Sequence, residues 1–167
     1  MKTKRLLTWI LVAVFAVLAM TFVACVDKPQ AQELTELVLP TLDKDQMAVI
    51  IKNGEKDYTS ITVTLGKNGV EAQTVEDVLA YLKDEGTLTV EWTDSGYGKF
   101  ITRLGKIKPA SANEWVAVFT SNPAEFDTGA WAITRTVGDL TLTTSIVGVS
   151  ELSVAAGYII YFELGAM

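Results

Sequence analysis

From residue 46 onward, apolar and polar side chains alternate in short bursts. "ITVTL" places Ile61, Val63 and Leu65 on one side and Thr62 and Thr64 on the other, and "TLTVEW" does the same with Leu88, Val90 and Trp92. A two-residue period of this kind predicts half-buried strands. "MAVIIKNGEKDYTSITVTL" predicts two of them around "NGEKD", where Asn53 and Gly54 would supply the positive backbone angles of a hairpin. "SGYG", between Trp92 and Phe100, predicts a second hairpin, and "EWVAVF", "AWAIT" and "YIIYFEL" predict later strands. The sum is a sheet of five to seven short strands, antiparallel or mixed.

One stretch breaks the alternation. "TVEDVLAYLKDEG" sets Val75, Val78, Leu79 and Leu82 at helical spacing, opens with Thr74 three residues before Asp77, and stops at Gly86 after Lys83. That arrangement predicts one amphipathic helix with an N-cap and a glycine stop. A hairpin, a helix and then further strands fit an α+β plan by the layer rules. The expected fold is therefore a β-grasp (ubiquitin-like) single domain, with one helix packed on a mixed, mostly antiparallel sheet.

The first 24 residues obey neither period. Lys2, Lys4 and Arg5 precede 19 residues, 6–24, without a charged side chain, and the run ends in Ala24. A basic start, an apolar middle and a small residue before a break are the parts of an export signal. The run is also long enough to cross roughly 30 Å of hydrocarbon, so a retained transmembrane helix is the competing reading. Both place residues 26 onward outside the cell, because the basic flank stays on the cytoplasmic side.

Cys25 is the chain's single cysteine, which leaves it no intramolecular disulfide partner. "FVAC" resembles the lipobox of bacterial lipoproteins, although Phe22 stands where leucine is usual. The resemblance implies that Cys25 is acylated and becomes the first residue of a protein held on the cell membrane. More than one acyl chain would be needed for stable anchoring. The organisation expected is a lipoprotein signal at 1–24, a lipidated Cys25 with a flexible tether at 25–45, and a folded domain at 46–167. The tether follows from Pro29, Pro40 and the polar residues between them.

Charge narrows the partners. The leader holds three of the 14 basic residues, leaving 11 against 20 acidic ones, a net charge of −9. Such a surface disfavours nucleic acid and anionic lipid.

The run at 74–122, followed by "GVSELSVAAGYIIYFEL", resembles the C-terminal β-domain of transcobalamin and intrinsic factor, and a bacterial lipoprotein family of unassigned function that carries this domain alone. The shared features are the helix, the pair Tyr97-Gly98, the pair Phe100-Ile101, Gly105, Trp115 opening a strand, and a last strand led by Gly157. The resemblance implies a surface for a flat ligand such as a cobalamin-like corrinoid, with Trp92, Tyr97, Phe100, Trp115 and Trp131 as the binding candidates. Between Trp115 and Gly157 the sequence departs from that pattern by inserting about one extra strand around Trp131. Filling the core is the competing role for Trp92 and Trp115.

Catalysis has few parts to work with. The chain contains no histidine, the commonest general base and metal ligand, and Cys25 is assigned to the anchor. The adjacent acid pairs Glu76-Asp77 and Asp84-Glu85 point in different directions along a helix and read as a solvated face. The sequence therefore predicts a non-enzyme without cofactor or metal. Its expected task is capture of a small organic ligand at the cell surface for an importer. The alternative is a protein-interaction module that docks an extracellular partner through a strand edge.

Overall fold

The computed structural model describes residues 28–96 and 98–167. The expected signal at 1–24, Cys25 and Tyr97 lie outside the described residues.

Among the described residues nine strands form, together with one α-helix: β1 Ala31–Leu34, β2 Gln46–Gly54, β3 Asp57–Thr64, α1 Val75–Asp84, β4 Val90–Ser95, β5 Gly98–Leu104, β6 Glu114–Thr120, β7 Thr134–Val137, β8 Leu140–Thr144 and β9 Ile159–Ala166. Seven of the strands make one mixed sheet in the order β1-β3-β2-β9-β6-β8-β7, while β4 and β5 form a separate two-stranded ribbon. The parallel pair is β2 with β9, from Ala48↔Ile159 to Ile51↔Phe162.

The α+β, β-grasp expectation is corrected by this topology. The fold is mostly β, because nine strands stand against one helix of 10 residues. The sheet is wider than that plan holds, and its second face is not open to water. Met47, Ala48, Val49, Ile50 and Ile51 are all completely buried, so β2 is covered on both sides. A continuous apolar run, rather than alternation, is the signature of such a strand.

On one face α1 presents Val75, Val78, Leu79 and Leu82 to Met47, Val49, Ile51, Ile61, Val63, Ile160 and Phe162. Each fully buried aliphatic side chain there stabilises the fold by roughly 1.5–3 kcal/mol. The helix begins where the spacing predicts it. The Thr74 hydroxyl accepts from the Asp77 N–H, and the Asp77 carboxylate accepts from the N–H of Thr74, closing a capping box. Two further N–H groups of the first turn, those of Val75 and Glu76, donate to the carbonyls of Leu152 and Val149. The ribbon closes the same core with Val90, Ile101 and Leu104.

The opposite face has its own cluster, built on Ala48, Ile50, Ala117, Phe119, Leu142, Ile159 and Tyr161. Two segments cover it. Leu37, Leu39 and Leu42 come from the expected tether, and Val137 and Leu140 come from the β7–β8 hairpin. The stretch read as a tether is thus attached to the sheet from residue 28 on: β1 pairs with β3, the Thr87 hydroxyl donates to the Pro29 carbonyl, and Lys28 lies 2.9 Å from Glu85. Glu33 adds a contact of 2.6 Å with Lys106.

The hairpin folds back because the sheet curls. Arg135 on β7 reaches Glu163 on β9 at 2.5 Å, although β8 and β6 lie between them. Three strand spacings in a flat sheet would be about 14 Å. The Tyr161 hydroxyl donates to the other Glu163 oxygen at 3.0 Å, and the Arg135 guanidinium stands over the Phe119 ring at 5.5 Å. Burial, then the Glu163 charge beside it, pushes the Tyr161 phenol well above its usual range.

Two local readings differ from the structure. Neither Asn53 nor Gly54 takes a positive φ, since Gly54 pairs directly with Asp57 and a bulge at residues 52–54 takes up the twist. "AWAIT" is not a strand; the inserted hairpin is β7–β8, turning at Gly138 with φ 58.

Candidate functional site

Among the described residues, the aromatic side chains singled out from the sequence fall into two groups, with Trp92 packed against one core cluster and Trp115 against the other. Trp92 and Phe100 belong to the ribbon, and Trp115 and Trp131 belong to the region around β6 and the loop before β7.

Trp92 is half-buried against the helix-side core. The Lys83 ammonium lies 5.1 Å from its ring centroid and that of Lys99 5.9 Å. Such cations are attracted to the indole face by its quadrupole. The ring is therefore occupied by the protein's own charges. Lys99 is in turn held by Asp94 at 2.5 Å, a hydrogen bond that raises the ammonium pKa above its usual value. Phe100, paired with Thr93 across the ribbon, is half exposed.

The second group is different. Trp115 pairs with Gly165 on β9, and a Cβ at Gly165 would come within 2.6 Å of the Trp115 indole. The glycine makes room for the ring to lie on the neighbouring strand, which fixes Trp115 against the second core cluster. Trp131 is 89% exposed, an extreme value for so large an apolar side chain, and Ile133 beside it is 37% exposed. Neighbouring apolar side chains left open to water in this way mark a surface for binding.

Between them runs an apolar groove of about 780 Å³, lined by Trp115, Trp131, Ile133, Met167 and small alanines. A second hollow of about 240 Å³ shares Trp115, Trp131 and Ile133 and continues along β6 to Asp127, Thr144 and Ser145. Sharing these walls, the two hollows make one trough, mostly apolar throughout, with its polar groups, Asp127, Thr144 and Ser145, at the end formed by the second hollow.

The loop that carries Trp131 is pinned at both ends to β8. The N–H of Asp127 donates to the Thr144 carbonyl at 2.8 Å, and the N–H of Ile133 donates to the Thr144 hydroxyl at 3.0 Å. Within the loop the Asp127 carboxylate accepts from the Gly129 N–H at 2.7 Å, the local turn that aspartate favours. The exposed indole is thus held on a built support. Sequence reasoning picked out Trp115 and Trp131 but missed Ile133 and Asp127. "DTGAWAI" carried the signal: an aspartate two residues before glycine marks a turn, and a tryptophan among small residues in a turn has little to pack against.

Among the described residues, no group of three or more histidine, cysteine, aspartate or glutamate side chains could hold a metal ion. No helix among them is long and apolar enough to cross a membrane.

No family model matches the chain, and no curated protein matches it. Among solved structures it is similar to a candidate metal-binding protein from Ruminococcus gnavus, at 14% identity and a TM-score of 0.48, over 74% of this chain and 98% of that one.

Proposed function

We propose that this protein is a non-catalytic binding module, tethered outside the cell through Cys25, whose trough beside Trp115 and Trp131 captures a small organic molecule with a flat apolar face. One observation carries the reading: an indole 89% exposed, on a pinned loop, forms the wall of an apolar groove of about 780 Å³. Ligand sites of about 300–1,000 Å³ with mostly apolar walls and few polar groups are the usual form for small molecules. Of the four aromatic candidates among the described residues, Trp115 and Trp131 line the groove, whereas Trp92 is already stacked on lysines and Phe100 lies with it on the ribbon; Tyr97 lies outside the described residues. Export and lipidation rest on the sequence of the first 25 residues. A handover to an importer would follow capture.

The test is a titration of the full chain with cobinamide, cobalamin and haem, read by tryptophan emission. Quenching is expected with at least one flat ligand, and Trp131→Ala should abolish it. Emission that stays flat with all three would overturn corrinoid-like capture. Detergent partitioning of Cys25→Ser checks the anchor separately, with release from the membrane phase as the expected outcome.

Docking of a protein along a strand edge is the second reading. It draws on β7, which pairs with β8 alone and so ends the sheet with one backbone edge unpaired by the sheet.

A further inference from the structure

We infer that the trough selects a cationic ligand: a protonated amine or quaternary ammonium attached to a flat apolar body. This deepens the reading above and rests on it. The observation is the distribution of charge. No lysine or arginine lines either hollow, and the charged side chain among the lining residues is Asp127, at the polar end. One Asp127 oxygen accepts from the Gly129 N–H; the other has no hydrogen bond or ion pair among the described residues. Thr144 and Ser145 stand on the same wall, so the end beyond the indoles offers oxygen atoms to a donor and no cation to an acid.

Three effects add in the same direction. A cation on a tryptophan face is favoured by the ring quadrupole. A carboxylate beside a partly desolvated groove attracts it further. The chain's excess of acidic over basic residues, 20 against 14, raises the local concentration of cations and repels anions. The occupant predicted is therefore an amphiphile lying along the trough, with its apolar body between Trp115 and Trp131 and its ammonium group toward Asp127. An acid of the same shape would place a negative charge against Asp127 with no cation among the lining residues to offset it.

A matched series isolates the charge: 1-naphthylmethylamine, 1-naphthalenemethanol and 1-naphthoic acid, titrated calorimetrically into the full chain. The amine should bind about tenfold tighter than the alcohol and the acid weakest, since a cation–π contact and one exposed charge pair each contribute a few-fold. Asp127→Asn should weaken the amine by about threefold at low salt and weaken the alcohol less than that. Trp131→Ala should weaken all three. Equal affinities across the series, or the acid binding tightest, would overturn the charge preference while leaving the apolar groove standing. Affinities of all three that Trp131→Ala leaves unchanged, or no binding by any, would overturn the groove reading and the charge preference with it.

Discussion

The two faces of the sheet are buried by opposite means. On the helix side, four aliphatic side chains of α1 meet a layer of Val, Ile and Met, and the β4–β5 ribbon adds Val90, Ile101 and Leu104, so the cover is built mainly of regular elements. On the other side, cover comes from an irregular segment at residues 37–42 and a curled hairpin, and a charge pair joins the edge strand β7 to the central strand β9. The first face holds its shape mainly by packing, with α1 also tied down by its cap and by hydrogen bonds to the Leu152 and Val149 carbonyls. The second is held in part by Arg135 with Glu163, and an apolar trough stays open beside it. A face covered by loops can keep a hollow that a packed helix would fill, and ligand sites concentrate where loops sit on a rigid scaffold.

The largest effect expected is on the packed face. Leu79 is fully buried, and Leu79→Ala should lower unfolding free energy by about 3 kcal/mol in urea titrations, through lost burial and a residual cavity. If the same denaturation shows less than 1 kcal/mol, packing does not dominate that face. Arg135→Met, on the second face, should cost about 1–2 kcal/mol, less than for a fully buried pair because the guanidinium is 40% exposed. Proteolysis should then cut the β7–β8 hairpin before the rest, and uniform protection would break the contrast. Thr74→Ala removes the helix cap and should cost about 1 kcal/mol.

The cap also has a pH signature. The N–H groups of Gln73 and Thr74 hold the Asp77 carboxyl below its usual range. A depressed folded-state value gives stability that is present above the unfolded pKa, near 4, and is lost as pH falls through the folded one. Asp77→Asn should flatten that acid limb. The smallest change in stability belongs to Trp131→Ala, within about 0.5 kcal/mol, because an exposed side chain has little burial to lose. Its effect on binding should be the largest of any single residue.

Legibility in the sequence follows the same division. The β2–β3 hairpin, α1 with its cap, β6 and β9 announce themselves, α1 by the helical spacing of its buried side chains and β2 and β9 by short continuous apolar runs. The strand β1 does not: "AQEL" is exposed at three of four positions and is a strand solely through pairing with β3. The β7–β8 hairpin was legible in principle, since "TRTVGDLTLTT" alternates about Gly138, but the bulkier "AWAIT" beside it drew the assignment. The sevenfold sheet was out of reach, because strand order depends on pairings over long separations that no local pattern encodes. For the site, residue type identified Trp115 and Trp131, while their separation from Trp92 and Phe100 needed the curl.

The seating of β9 between β2 and β6 has a consequence for how the molecule is made. Ile160 and Phe162 enter one core and Ile159 and Tyr161 the other, so this late segment is the keystone of both. Its parallel partner lies more than a hundred positions upstream, and closing so long a span is entropically costly and slow. A nascent chain that has not yet delivered residues 159–166 lacks the strand on which both interiors meet, so neither can close before synthesis is nearly done.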